Sequence, residues 1–184
     1  MTPSRILGTL HAHRTLLPRE AHDLTRAGVP ASALTQPHPV RAGYIVWVSA
    51  ERFEFEHHVS YGRPERAFLL LVQDSGGAPL DVIAWQPQTG RLGSWLGRTW
   101  GLGEESIYQP RLASDALPIW RTPLDWLRAH RRGCVLLQPK LAARFLDCAA
   151  PLQAEDIPHG HELRQVLTIP APRIVVAVPS ARAA

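Results

Sequence analysis

Asparagine is absent from this sequence, and Lys140 is its only lysine, so 19 of the 20 basic residues are arginine. A GC-rich coding sequence produces that bias unaided. Arginine abundance therefore does not signal phosphate or carboxylate recognition here; only the placement of individual guanidinium groups can. Cysteine is nearly missing as well. Cys134 and Cys148 stand apart with no CxxC spacing, which excludes a disulfide framework and suggests a reducing compartment. Cys134 opens an apolar strand and Cys148 sits on an apolar helix face, so both read as structural.

Long hydrophobic runs are also lacking. No stretch approaches the ~20 apolar residues of a membrane-crossing helix. His11, His13 and Arg14 interrupt the amino-terminal MTPSRILGTLHAHRTLL, which denies it a signal-peptide core. The expectation is a cytoplasmic chain with no membrane partner. Neither GxSxG nor GxxxxGK[ST] occurs, and Gly101 and Gly103 lack the spacing of a dinucleotide loop. No cofactor is expected.

What remains is enough for one folded domain: 184 residues, 45% of them hydrophobic, with a formal charge of +4. The block RAFLLLVQDSGGAPLDVIAWQPQTGRLGSW, residues 66–95, holds three apolar runs separated by turn chemistry, the pattern of an antiparallel meander. Upstream, GYIVWVS and the alternating ERFEFEHHVSY extend that meander to about residues 43–96. Past Gly103 the chain reads as irregular to residue 121. A helix then opens at Pro123 behind Thr122 and ends before Gly133. CVLLQ reads as a strand, 139–149 as a helix, PLQAE as a strand and 157–167 as a helix. RIVVAV reads as a last strand. The expected architecture is α+β (or α/β): residues 1–40 a helical arm, 41–178 one mixed domain, and 179–184 a frayed tail.

Four constellations could carry chemistry. Arg52, Glu54, Glu56 and His58 share one face of a strand, with Phe53 and Phe55 on the other. Such a face suits acid–base work or a divalent ion, and equally the charged outer side of an edge strand. Asp74 ends an apolar strand in an order that resembles the opening of ribonuclease H-like nucleases, whose first-strand aspartate binds Mg²⁺. Over these thirty or so residues that resemblance implies a metal-dependent phosphoryl-transfer site built on Asp74, with further carboxylates on a following helix and at the end of the fourth strand; in this chain such a site requires Asp74 to converge with Glu54 or Glu56. CVLLQ, the later strand that should supply another acid, ends in Gln138 instead. In EDIPHGHEL, Glu155, His159 and His161 are metal-ligand types, but Pro158 and Gly160 mark a helix entry whose acids suit the helix dipole.

The fourth constellation is spread along the chain. Five of six tryptophans lie between Trp85 and Trp126, and seven arginines against four acids lie between Arg91 and Arg132. Guanidinium groups hold phosphates while indoles stack on bases. Arg91, Trp95, Arg98, Trp100, Arg128, Arg131 and Arg132 are the residues this reading selects. It makes the chain a non-enzymatic binding module for nucleic acid or for a complex that handles it; the alternatives are a divalent-metal-dependent phosphoryl-transfer enzyme with an incomplete acidic set, and a protein-docking inhibitor or adaptor of a mobile element.

PLDVIAWQPQTGRLGSWLG, RTPLDWLRAHRRG and AEDIPHGHELRQVL together resemble an uncharacterised family of small proteins from GC-rich bacteria, associated with mobile or phage-derived regions. The resemblance spans most of residues 40–170 and brings no activity with it. It implies a part in host–phage conflict or plasmid maintenance.

Overall fold

The computed structural model describes residues 1–109, 116–147, 149 and 151–168. Two sheets organise them. The larger is an antiparallel meander of β2 (Arg41–Trp47), β3 (Phe53–Phe55), β4 (Glu65–Gln73), β5 (Pro79–Gln86) and β6 (Arg91–Ser94), with the two-residue β1 (Arg14–Thr15) on its rim. Strand order is β1-β2-β4-β5-β6, and β3 shares the β1 edge of β2. The sheet curls far enough for Arg52 to bridge Ser94, and the Ser94 amide donates to the Glu51 carbonyl at 2.9 Å.

The apolar runs of β4 and β5 are continuous because both faces of this sheet are covered. Ala67, Leu69, Leu71, Val82 and Ala84 point inward to Phe53, Phe55 and Trp95. Helix α1 (Pro3–Ala12) closes that inner face with Ile6 and Leu10, a pair four residues apart on one helical stripe and both fully buried. The alternate residues, Phe68, Leu70, Val72, Ile83 and Trp85, point outward and meet α2 (Pro18–Arg26), α3 (Ala31–Thr35) and α4 (Pro123–Arg128) through Leu24, Leu34, Trp126 and Leu127. Residues 1–40 thus pack on both faces of the sheet.

The smaller sheet has the order β10-β8-β9-β7: β10 (Leu152–Gln153), β8 (Leu117–Trp120) and β9 (Cys134–Leu136) run parallel, and β7 (Gly101–Leu102) is antiparallel to β9. Its core packs Trp100, Leu117, Ile119 and Cys134 against α5 (Pro139–Leu146) and α6 (Ile157–Leu167). Gly133 makes the approach to β9 feasible. It holds φ +82°, and a Cβ there would lie 2.2 Å from the Pro118 carbonyl oxygen. The whole is a mixed α+β single domain with an antiparallel meander, as its patterning predicts.

Several elements differ from their expected form. β3 stops at Phe55, and Glu56–His58 turns as a 3₁₀ helix, so the alternation over 51–61 does not run its length. The irregular stretch 104–121 contains β8 and a 3₁₀ turn at Glu104–Tyr108. Helix α1 ends at Ala12, where the chain turns into β1. Cys148, the RIVVAV run and residues 179–184 lie outside the described residues.

Candidate functional site

The tryptophan–arginine constellation does not form a surface. Trp95 and Trp100 are 2% and 4% exposed, and Trp85 and Trp126 are as deeply buried. Trp95 is clamped twice: its indole N–H donates to Glu54 Oε2 at 3.0 Å, and its carbonyl accepts from Arg52 at 2.7 Å. Neither Trp95 nor Trp100 presents a ring face to solvent; contrary to the sequence expectation, both are core residues and not stacking platforms.

Most of the selected arginines hold the fold together. Arg131 donates to the Ala33 and His38 carbonyls, with burial pushing its guanidinium down to about 10. Arg128 reaches the Ala27 carbonyl and Asp125, Arg98 the Met1 carbonyl, and Arg91 the Ser49 carbonyl while lying over Trp47. Arg132 is exposed at the end of the α4 turn.

The acidic candidates separate in the same way. Asp74 accepts from the Gly76 and Ala78 amides at 2.9 Å each, so its carboxylate fastens the β4–β5 hairpin. Glu54 serves Trp95 and lies 3.9 Å from His58 Nδ1. Glu56 is exposed on the 3₁₀ turn. Glu155, Asp156 and Glu162 all converge on Arg121, which holds Asp156 down to about 2. His159 is buried, accepting from the Glu155 amide through Nδ1, while His161 is exposed. Among the described residues no group of three histidines, cysteines or carboxylates could hold a metal ion.

A different set of aromatic and basic residues does share a surface, at the β2–β4 rim of the outer face. Tyr44 is 51% exposed and lies directly across from Arg66 in the ladder. Tyr61, 64% exposed, and Arg63 stand on the loop that enters β4. Glu20 organises the cations. At the third position of α2 it caps the helix by accepting from the Leu17 amide at 2.7 Å. The same carboxylate accepts from Arg66 Nε at 2.9 Å and lies 3.8 Å from Arg14. Burial works to raise its pKa, but the Leu17 amide and Arg66 outweigh it and keep it below the ordinary value.

Beside Arg66 the outer face opens into a cleft of about 510 Å³ between α2, the β4–β5 pair and α4. Its floor is Phe68, Trp85, Leu24 and Leu124, and its rim is Arg19, Glu20, Asp23 and Arg66. It is a half-open groove with an apolar base and a few charges along its rim. Sequence reasoning missed it because tyrosine and arginine here are scattered over residues 14, 19, 44, 61, 63 and 66. The one available signal was Tyr44, an exposed-type aromatic at the alternate position of an otherwise apolar strand.

Comparison with protein-family models, with curated proteins and with solved structures gives no match for this chain.

Proposed function

We propose that this chain is a non-enzymatic binding module for single-stranded nucleic acid, and that the strand lies on the outer-face rim and cleft. The observation that carries the reading is exposed Tyr44 opposite the half-buried, Glu20-paired Arg66 beside an apolar cleft, with Arg14, Arg19 and Arg63 around it. Phosphates meet guanidinium groups that Glu20 has already fixed, which lowers the ordering cost of each contact. Bases meet Tyr44 and Tyr61, which every base can stack on, so recognition tolerates sequence. A duplex hides its base faces and is the weaker ligand. The acids Glu20 and Asp23 at the cleft confine phosphate to the arginine side.

The test is fluorescence anisotropy with labelled single-stranded and duplex DNA and RNA across a salt series. Single strands are expected to bind with an affinity that falls as salt rises. Tyr44→Ala removes an exposed side chain, leaves the fold intact and weakens binding by about 1–3 kcal/mol. Arg63→Ala shallows the salt slope by about one counterion. Arg98→Ala with Arg128→Ala, two arginines that, away from the rim, hold the Met1 and Ala27 carbonyls, leaves binding unchanged. Absence of binding at low salt, or equal binding by wild type and Tyr44→Ala, overturns the proposal.

A further inference from the structure

Three imidazoles from two separated segments meet where α1 ends. His13 follows the last turn of α1, and its ring stacks on Phe55 with centroids 4.5 Å apart. His57 lies 5.8 Å from His13, His58 lies 4.2 Å from His57, and His58 stacks in turn on Trp95. Phe55 is fully buried and Trp95 nearly so, His13 is half-buried, and His57 and His58 are exposed, so the stack runs from the inner core out to the surface.

The seat is tailored to the ring. Gly43 of β2 has no side chain where a Cβ would come within 2.7 Å of His13 Nδ1, so the glycine leaves the space the imidazole fills. Nε2 of His13 is shut away from solvent and has no hydrogen-bond partner. A neutral ring can leave one nitrogen unpaired at modest cost. An imidazolium has two donors and a charge, and leaving one of them buried and unpaired is far more expensive.

The surroundings offer a cation little. On its own segment stand His11 and Arg14. From β2, Arg41 donates to the His13 carbonyl at 3.2 Å. Beyond β3 stand His57 and His58, and Arg5 of α1 acts on His58. Of the two acids, Glu54 is engaged by the Trp95 indole, and Glu56 is exposed at the rim of the cavity that His13 and His57 line. Burial first, then the charges of His57 and His58, hold the His13 pKa below its ordinary 6.5.

We propose that His13 is a proton-operated latch: neutral, its ring fills the Gly43–Phe55 seat and pins α1 and β1 to the sheet; protonated, it leaves the seat and releases them. The folded value lies below the unfolded one, so the seat's contribution is full above 6.5 and is lost as pH falls below it. Released, a ten-residue helix is too short to persist alone in water. The release also frees β1, which carries Arg14 beside Tyr44. That effect on strand binding rests on the function proposed above; the latch itself does not.

Amide hydrogen exchange of residues 3–15 in the full chain, corrected for the intrinsic pH dependence of exchange, tests it between pH 7.5 and 5.5. Wild type is expected to lose protection there by several-fold, with about tenfold as the ceiling for one group titrated one pH unit below its unfolded 6.5, while β4 and β5 stay protected. His13→Phe keeps a stacking ring without a titrating nitrogen and should hold its protection at pH 5.5. His57→Gln removes one neighbouring charge and should move the transition to lower pH. Unchanged wild-type protection at pH 5.5, or an equal acid loss in His13→Phe, overturns the latch. Should His13→Phe fail to fold, an unmoved transition in His57→Gln does the same. None of these readings depends on nucleic acid.

Discussion

The two sheets of this molecule are built on opposite plans. The larger joins strands of up to nine residues that are mostly neighbours in sequence, and side chains cover it on both faces. The smaller joins strands of two to four residues, with parallel pairs between segments that lie far apart in the chain. Its cohesion comes from α5, α6 and the Arg121 ion cluster as much as from its ladders. A sheet of the first kind is held by area, and one of the second kind by a few specific contacts.

Removing a side chain should therefore cost most in the larger sheet. Leu69 is fully buried on its inner face, and Leu69→Ala is expected to lower the unfolding free energy by about 3–5 kcal/mol in urea titration. Ile119→Ala in the smaller sheet should cost less, about 2–4 kcal/mol, because a short strand can collapse onto the cavity. Equal losses would show that the two sheets share one cooperative core.

The joint between the sheets should respond to base. Glu104 accepts from the Trp100 amide and meets Thr99 Oγ1 at 2.7 Å, while that hydroxyl also faces the Gly101 carbonyl at 2.5 Å. One hydroxyl has one proton to give, so a protonated Glu104 can supply the second. Burial, reinforced by Glu105 and Asp81 and opposed by Thr99 and Trp100, raises Glu104 to about 7. Its folded value lies above the unfolded 4.5, so this contribution is full below 4.5 and lost as pH rises through about 7. Thermal melts should show an alkaline decline that Glu104→Gln flattens; an unaltered decline would place the titrating group elsewhere.

The smallest effects belong at the periphery. Asp74→Ala loosens one hairpin by on the order of 0.5–1.5 kcal/mol and leaves strand binding alone. Arg121→Ala should raise hydrogen exchange in α6 without shifting the midpoint for β4 and β5. A global shift in that variant would mean that the smaller sheet supports the larger.

The same contrast explains what could be read beforehand. The meander was legible because β4 and β5 carry unbroken apolar runs with Asp74–Pro79 between them. Thr122, Pro123 and Gly133 marked α4, and Asp156 and Pro158 marked the start of α6. β8 was not legible: LPIW is four residues long, and its partner Cys134 comes after an entire helix. The tryptophans misled for a physical reason. Indoles beside arginines read as a stacking surface in one dimension, yet Arg52 and Glu54 fold back onto Trp95 and fix it inside the curl. The rim of Tyr44, Tyr61 and Arg66 escaped notice because register, which no local pattern states, is what sets Tyr44 opposite Arg66.

The bridge from Arg52 to Ser94 bears on self-assembly. Exposed β edges recruit other strands and seed aggregates, but a sheet that curls back on itself leaves few backbone groups to recruit with. In the larger sheet the rim strand β1 is two residues long, too short a template for another chain. Among the described residues the other edges are β3 and β6 of the larger sheet, three and four residues long, and β10 and β7 of the smaller, two residues each. Among the described residues the two longest strands, β4 and β5, are paired on both sides, which leaves only short edges for another strand to join.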